Sequence, residues 1–345
     1  MSDPDESQNP SGAQTAEEFL PKAIMLTGGA GFIGSHVACR LATAGFPLVI
    51  VDKLDYCASM ANLAEIIDLD HVTFCKQDIT DIDAVTTIFR HHPEIDTVMH
   101  FAAQTHVDNS FGNSFTFTHN NVMGTHVLLE ASKVHDIKRF VHVSTDEVYG
   151  DGASGIASTE CSSFAPTNPY AATKCAAECL VKAYERSFGL PTIITRSNNI
   201  FGPKQYPEKL IPKFISLLLR QQKAATRRSD AGQPSAVEFK LPIHGDGQNC
   251  RNYLFCHDVA AAFELILRRG VVGEIYNIGT ELVKKNMEVA ADLIKSFGFA
   301  QLGSDDAAGG VSDYIEYVSD RPFNDLRYTL DSSKLNEVCI TCMPL

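Results

Sequence analysis

The sequence predicts an α/β protein built on a doubly wound parallel sheet, with a smaller C-terminal substrate-binding domain. Short β-branched runs alternate with amphipathic stretches from Ala23 onward, which is the rhythm of βαβ units in a parallel sheet covered on both faces. A glycine-rich turn follows the first of those runs directly. The chain has 345 residues, 44% of them hydrophobic, enough for one large domain or two smaller ones with real cores.

Taken in order, residues 1–21 are polar and small and read as a disordered tail. Strands are expected at Ala23–Thr27, Pro47–Val51, Val72–Lys76, Thr97–Phe101, Phe140–Ser144 and Pro191–Thr195. Helices are expected between them at Ile33–Ala44, Asp81–Arg90, Val122–Val134 and Tyr170–Phe188. Right-handed crossovers leave essentially one doubly wound topology for that order. The first domain therefore spans 22–200, and 201–345 mainly forms the second. Within the latter, 221–240 is rich in Ala, Arg, Ser, Gly, Gln and Pro and reads as a flexible surface loop.

The net charge of −13 argues against a nucleic-acid binder, which would present a basic face. No stretch approaches the roughly 18 apolar residues of a membrane span. The start, Met1-Ser2-Asp3-Pro4-Asp5-Glu6, lacks the apolar core of a secretory signal. Ten scattered cysteines read as reduced thiols of a cytoplasmic protein. Cys339 and Cys342 form an isolated C-x-x-C with no second pair, and no metal is expected.

The first strand runs into Thr27-Gly28-Gly29-Ala30-Gly31-Phe32-Ile33-Gly34. Gly28 permits the tight turn, Gly31 lets backbone approach a pyrophosphate, and Gly34 lets the helix pack on the sheet. The helix start, with Phe32 and Ile33, offers unpaired amides to the phosphates. Asp52 ends the second strand at about the 20-residue distance expected for a ribose-binding acid, with Lys53 beside it. A carboxylate there accepts from both ribose hydroxyls and repels a 2′-phosphate, which favours NAD over NADP. Asp78 and Ile79 after the third strand flank the adenine position, and the small Ala102 and Ala103 allow close cofactor approach. The 22–200 domain thus reads as a Rossmann NAD-binding domain.

The fifth strand ends in Ser144-Thr145-Asp146-Glu147, and the next helix opens Asn168-Pro169-Tyr170-Ala171-Ala172-Thr173-Lys174. Two adjacent acids at a strand's carboxyl end are poor choices for packing, although they could simply cap a turn. Tyr170 and Lys174 stand at i and i+4 on one helix face. The lysine charge is expected to lower the tyrosine pKa toward neutrality, so that the phenol can accept a proton from an alcohol.

With these motifs in place, the chain resembles the nucleotide-sugar 4,6-dehydratases among the extended short-chain dehydrogenases. The resemblance rests on the Gly28–Gly34 turn, Asp52-Lys53-Leu54, His100-Phe101-Ala102-Ala103, Asn121 with Gly124-Thr125, Thr145-Asp146-Glu147 and Tyr170-x-x-x-Lys174. It continues through Pro207-Glu208-Lys209-Leu210-Ile211-Pro212, Arg251, Tyr276-Asn277-Ile278-Gly279 and Asp320-Arg321-Pro322 to Arg327-Tyr328, covering roughly 22–335. The segments His100–Tyr149 and 321–335 look closest to the first domain of plant rhamnose synthases, which act on UDP-glucose; the dTDP-glucose enzymes are similar, with Gly-His where this chain has Phe323-Asn324.

The resemblance implies a lyase that takes UDP-glucose or dTDP-glucose to the 4-keto-6-deoxy sugar. Tyr170 would take the 4-hydroxyl proton, Thr145 would hydrogen-bond the C4 oxygen, Glu147 would take the C5 proton and a protonated Asp146 would assist departure of the 6-hydroxyl, with NAD carrying hydride from C4 to C6. It also implies substrate contacts from Asn199, Glu208, Lys209, Leu210, Asn277, Arg327 and Tyr328. Arg251 is the diphosphate ligand favoured by charge and position, Arg321 is a further candidate, and His244 stands in a turn where a nucleotide contact is as reasonable as a surface position. The family's usual homodimer would use Val122–Val134 and Tyr170–Phe188. The chain ends at Leu345, where the family continues into a helix carrying tryptophans, and it has no Trp. A 4-epimerase or UDP-glucuronate decarboxylase on the same scaffold, which would not need the acid pair, and an inactive NAD-binding protein remain the alternatives.

Overall fold

In the structure, a computed structural model, residues 18–152, 155–234, 236–299, 310–319 and 329–340 are described. The expected disordered tail therefore lies almost wholly outside the described residues. Arg321, Arg327 and Tyr328 lie outside them too, and so does Cys342.

Seven parallel strands form the main sheet: β1 (Ile24–Thr27), β2 (Leu48–Val51), β3 (Val72–Cys75), β4 (Thr97–His100), β5 (Arg139–Thr145), β6 (Thr192–Ser197) and β10 (Ile275–Ile278). Their order across the sheet is β10-β6-β5-β4-β1-β2-β3, so the chain winds outward in both directions from the β1–β4 junction. That reversal opens a crevice at the carboxyl ends of the strands, where ligands bind in such sheets. β1 displays the two-sided burial: Ile24 and Leu26 pack into one core cluster and Met25 into the other.

Helices α1 (Phe32–Thr43) and α8 (Cys256–Arg269) cover the first face; α2 (Ile82–His91), α5 (Gly124–Val134) and α6 (Pro169–Phe188) cover the second. The short α3 (Val107–Gly112) and α4 (Ser114–Phe117) lead into a π-helical stretch, Thr118–Met123, directly before α5. Asp81 caps α2 by accepting from the amides of Asp83 and Ala84. Asn168 caps α6 the same way through Ala171, with Pro169 at the first helical position. The six expected strands and four expected helices all form, with no end moved by more than two residues; Val122 and Met123 of the expected Val122–Val134 helix belong to the π-helical stretch.

The remaining elements build a smaller lobe. β7 (Asn199–Phe201), β9 (Cys250–Phe255) and β11 (Val283–Lys285) make a three-stranded sheet, and β8 (Leu241–His244) pairs with β12 (Ile315–Val318). α7 (Leu210–Asp230) and α9 (Asn286–Ser296) pack with β8 and β12 around Phe214, Leu218, Ile243, Ile294 and Tyr314. β10 lies beyond residue 200 yet belongs to the main sheet, and α10 (Ser333–Ile340) leans on it.

The expected flexible loop at 221–240 needs correcting. Its first half is the end of α7, because Ala, Arg, Gln and Lys are good helix formers whatever the segment's loop-like composition. The returning chain is held by buried Gln221, whose side chain donates to the Ala236 carbonyl and accepts from the amides of Glu238 and Phe239.

Candidate active site

A continuous cleft of about 440 Å³ runs along the carboxyl ends of the main-sheet strands and under the smaller lobe, a volume typical of ligand sites. Every predicted cofactor residue lines it: Gly28, Gly31, Phe32, Ile33, Gly34, Asp52, Lys53, Asp78, Ile79, Ala102, Ala103, Tyr170 and Lys174. So do Thr145, Asp146, Glu147, Asn199, Glu208, Lys209, Leu210, Arg251 and His244.

The glycine turn is built to bring backbone close. At Gly28 φ is +71°, and a Cβ would stand 2.6 Å from the Ala102 nitrogen; at Gly34 it would stand 2.3 Å from the Gly28 carbonyl oxygen. Asp52 closes the turn from β2, accepting from the Ala30 amide at 3.0 Å and the Leu54 amide at 2.8 Å. Lys53 donates to Asn120 and lies 3.6 Å from Asp55 and 3.5 Å from Asp78. Beneath the turn, buried His100 bridges Thr27 at 2.8 Å and Thr125 at 2.9 Å. Burial pushes its imidazole down to about 3, so it is a neutral strut joining β1, β4 and α5. The glycine cradle, the helix start without a side-chain cap at Gly31 and the carboxylate at the end of β2 fit a dinucleotide such as NAD.

At the other end of the cleft, Thr145 ends β5 and caps the following turn by accepting from the Glu147 amide. The two acids are thereby free of capping duty and go to separate partners. Asp146 accepts from Asn198 at 2.8 Å and from the Thr145 hydroxyl at 3.2 Å. Glu147 accepts from Asn168 at 2.8 Å. Burial, reinforced by the neighbouring Glu147 charge, pushes the Asp146 carboxyl up to about 7. A group there is an acid that can give up a proton near neutrality.

Tyr170 lies in the first turn of α6, buried, its hydroxyl hydrogen-bonded with Thr145 and its ring edge-on to Phe117. Lys174, one turn on, donates to the Val143 carbonyl at 2.6 Å. Burial pulls its ammonium down to about 8, opposed by the Glu178 charge. The expectation that Lys174 draws the Tyr170 pKa toward neutrality needs correcting for this structure. Burial dominates and raises it, and the Glu147 and Asp146 charges add to the rise.

Asn277 also needs correcting. It is fully buried and does not line the cleft. Its side chain accepts from the Tyr149 hydroxyl and donates to the Ser158 and Asp331 carbonyls, a structural knot at the start of the last described segment. Conversely, sequence reasoning missed Asn198 and Asn168, the residues that separate the two acids. It also missed the partners of Glu208 in the cleft, where the Tyr56 hydroxyl donates to that carboxylate at 2.9 Å and His106 lies 3.8 Å from it. Asn168 was legible as a helix cap; its second role shows only in three dimensions.

Known proteins match this architecture. The model of the NAD dependent epimerase/dehydratase family matches residues 24–279. A trifunctional UDP-glucose 4,6-dehydratase/UDP-4-keto-6-deoxy-D-glucose 3,5-epimerase/UDP-4-keto-L-rhamnose-reductase of Arabidopsis thaliana is 51% identical over 325 residues, which cover 93% of this chain and 45% of that protein. The chain thus spans about half the length of such relatives. The dTDP-D-glucose 4,6-dehydratase of Homo sapiens is 43% identical over 317 residues, covering 91% of this chain and 84% of the relative. Among solved structures, the dTDP-glucose 4,6-dehydratase DesIV of Streptomyces venezuelae, with NAD bound, superposes with a TM-score of 0.79 at 37% identity, covering 91% of this chain and 90% of that one. The matched span carries the glycine turn, the acid pair and the Tyr170–Lys174 helix together, and on that ground the chain belongs to the NAD dependent epimerase/dehydratase family.

Proposed function

We propose that the chain is a nucleotide-sugar 4,6-dehydratase that takes UDP-glucose or dTDP-glucose to the 4-keto-6-deoxyglucose derivative. The observation that carries this reading is the pair of adjacent carboxyl groups, Asp146 and Glu147, sharing one cleft with Tyr170 and Lys174 while bound to different asparagines. Oxidation of an alcohol needs only the tyrosine. Elimination of water needs an acid and a base as well.

Tyr170, aligned by Thr145, would take the proton of the 4-hydroxyl in its phenolate form, which the positive charge of bound NAD would favour against the effect of burial. NAD held at the glycine turn and Asp52 would supply the hydride chemistry that oxidises C4 and later reduces C6. The 4-keto group acidifies the C5–H, and Glu147, held by Asn168, accepts that proton. Asp146, whose burial keeps it protonated to about 7, gives its proton to the departing 6-hydroxyl, so water leaves. Gly28, Gly31, Gly34, Asp52, Asp78, Ile79, Ala102 and Ala103 would hold NAD, while Asn199, Glu208, Lys209, Leu210 and Arg251 would grip the sugar diphosphate and nucleotide.

A homodimer through α5 and α6 belongs to the same proposal. Apolar side chains stand exposed along that side of the molecule, with Phe115 at 89%, Val134 at 73% and Phe188 at 56%, a burden for a monomer. Free cysteines without a disulfide among the described residues suit a reducing, cytoplasmic setting. No helix among the described residues is long and apolar enough to cross a membrane. The smaller lobe of α7, α9, β8 and β12 would be the substrate-binding part of the chain.

The test is incubation with UDP-glucose and with dTDP-glucose, following the alkaline absorbance of a 4-keto sugar. Its appearance with either nucleotide supports the proposal. A galactose product without a keto species would make the protein an epimerase, and no product with NAD retained would make it a binding protein.

A further inference from the structure

Outside the cleft, His36 on α1 and the consecutive Cys256 and His257 at the start of α8 bring two imidazole nitrogens and a sulfur within 4.8 Å of one another. None of the three lines the cleft, and none has a role in the chemistry above. α1 and α8 pack side by side, which is how residues so distant in sequence meet.

The site is organised on its buried side and open on the other. His36 and Cys256 are buried, and His257 is exposed. The His36 ring is set by a 2.9 Å contact between Nε2 and the Pro203 carbonyl, and it meets Phe32 and His257 edge-on. Backbone carbonyls that orient an imidazole are a recurring support for metal-binding histidines. The Cys256 sulfur lies against the backbone of Gly202, where a Cβ would stand only 2.3 Å from it. Burial keeps His36 neutral, the form that donates a lone pair, and raises the Cys256 thiol. Lys204 faces both groups and disfavours a cation; Glu65 near His36 and Asp258 near Cys256 offset it.

We propose that His36, Cys256 and His257 form a binding site for one divalent transition-metal ion of borderline softness, of the Zn²⁺ class. Two imidazoles and a thiolate are the donors such ions select, and a fourth, solvent position beside exposed His257 completes a tetrahedral set. Binding forms a metal–sulfur bond as the Cys256 thiol loses its proton to solvent, with no change of oxidation state. The ion would tie α1, which begins at the glycine turn, to α8 and to the Gly202–Pro203 segment, which runs on to Glu208 and Lys209 in the cleft.

The experiment uses the full chain, stripped with chelator and titrated with Co²⁺. A thiolate-to-cobalt charge-transfer band should saturate at one ion per chain, disappear on adding Zn²⁺, and be accompanied by a higher melting temperature with Zn²⁺. His257→Ala, an exposed change that leaves the fold intact, and Cys256→Ser should both abolish the stoichiometric band, whereas Cys179→Ser at an exposed thiol should leave it. Absence of the band in the parent chain overturns the proposal. So does a band that survives His257→Ala, or one that is lost with Cys179→Ser.

Discussion

Replacing Asp146 by asparagine should make the protein more stable, and increasingly so as the pH rises. The carboxyl sits at about 7 in the folded chain against an ordinary 3.8, chiefly through burial. Between those values the folded state holds a proton that the unfolded state has released, so stability falls as pH climbs through the window. Above about pH 7 the folded protein carries the whole cost of a buried, repelled carboxylate, about 4 kcal/mol at 1.36 kcal/mol per pH unit. Asparagine keeps the shape and cannot ionise. Its carbonyl still accepts from Asn198, and the Thr145 hydroxyl can turn to accept from its amide. Urea unfolding of both proteins should show a gap in favour of Asp146→Asn that widens by about 3 kcal/mol from about pH 5 to about pH 8. The same variant should lose dehydration, because the acid is gone. A gap that stays constant with pH would refute the buried-acid assignment and with it the role of Asp146 in elimination.

Three further predictions follow from single contacts. Tyr170→Phe should lower turnover by about 10²–10⁴, with no NADH absorbance in a single-turnover trace while calorimetric binding of the nucleotide sugar persists. Gly28→Ala must fit a Cβ 2.6 Å from the Ala102 nitrogen at φ +71°. It should cost about 1–3 kcal/mol of stability and weaken NAD binding, read by thermal melting and by a cofactor titration. Asn277→Ala removes the acceptor of the Tyr149 hydroxyl and a donor to the Ser158 and Asp331 carbonyls. It should lower stability by about 2–3 kcal/mol without changing the KM for the nucleotide sugar, an unchanged value that a substrate-contact role for Asn277 would forbid.

Much of the fold was legible because its signals are local and periodic. Strand and helix runs, the Gly28–Gly34 turn and the Asn168-Pro169 helix start all announce themselves within a few residues. The acid pair and the Tyr170–Lys174 helix were legible as types, and the sheet topology brings both to the carboxyl end of the strands. What failed did so for tertiary reasons. The tail of α7 was hidden because Ala-Arg-Gln composition serves loops and helices alike, and Gln221 decides the matter by binding the chain that returns past it. Asn277 stands at a strand end near the site in sequence, but its side chain turns into the core toward Tyr149. The Tyr170 pKa was misjudged because helix spacing reports proximity to Lys174 and says nothing of burial, the larger effect here. His36 lies far along the chain from Cys256 and His257, with no metal-ligand spacing to betray them.

In the proposed dehydratase one cleft oxidises C4, expels water across C5 and C6, and returns the same hydride to C6. The most direct test of that proposal uses nucleotide-linked glucose carrying deuterium at C4, with the product read by NMR and mass spectrometry in ordinary water. The expected product is a 4-keto-6-deoxy sugar with the deuterium at C6. Deuterium returned to C4 of a galactose product, or washed out to solvent, would contradict the proposal.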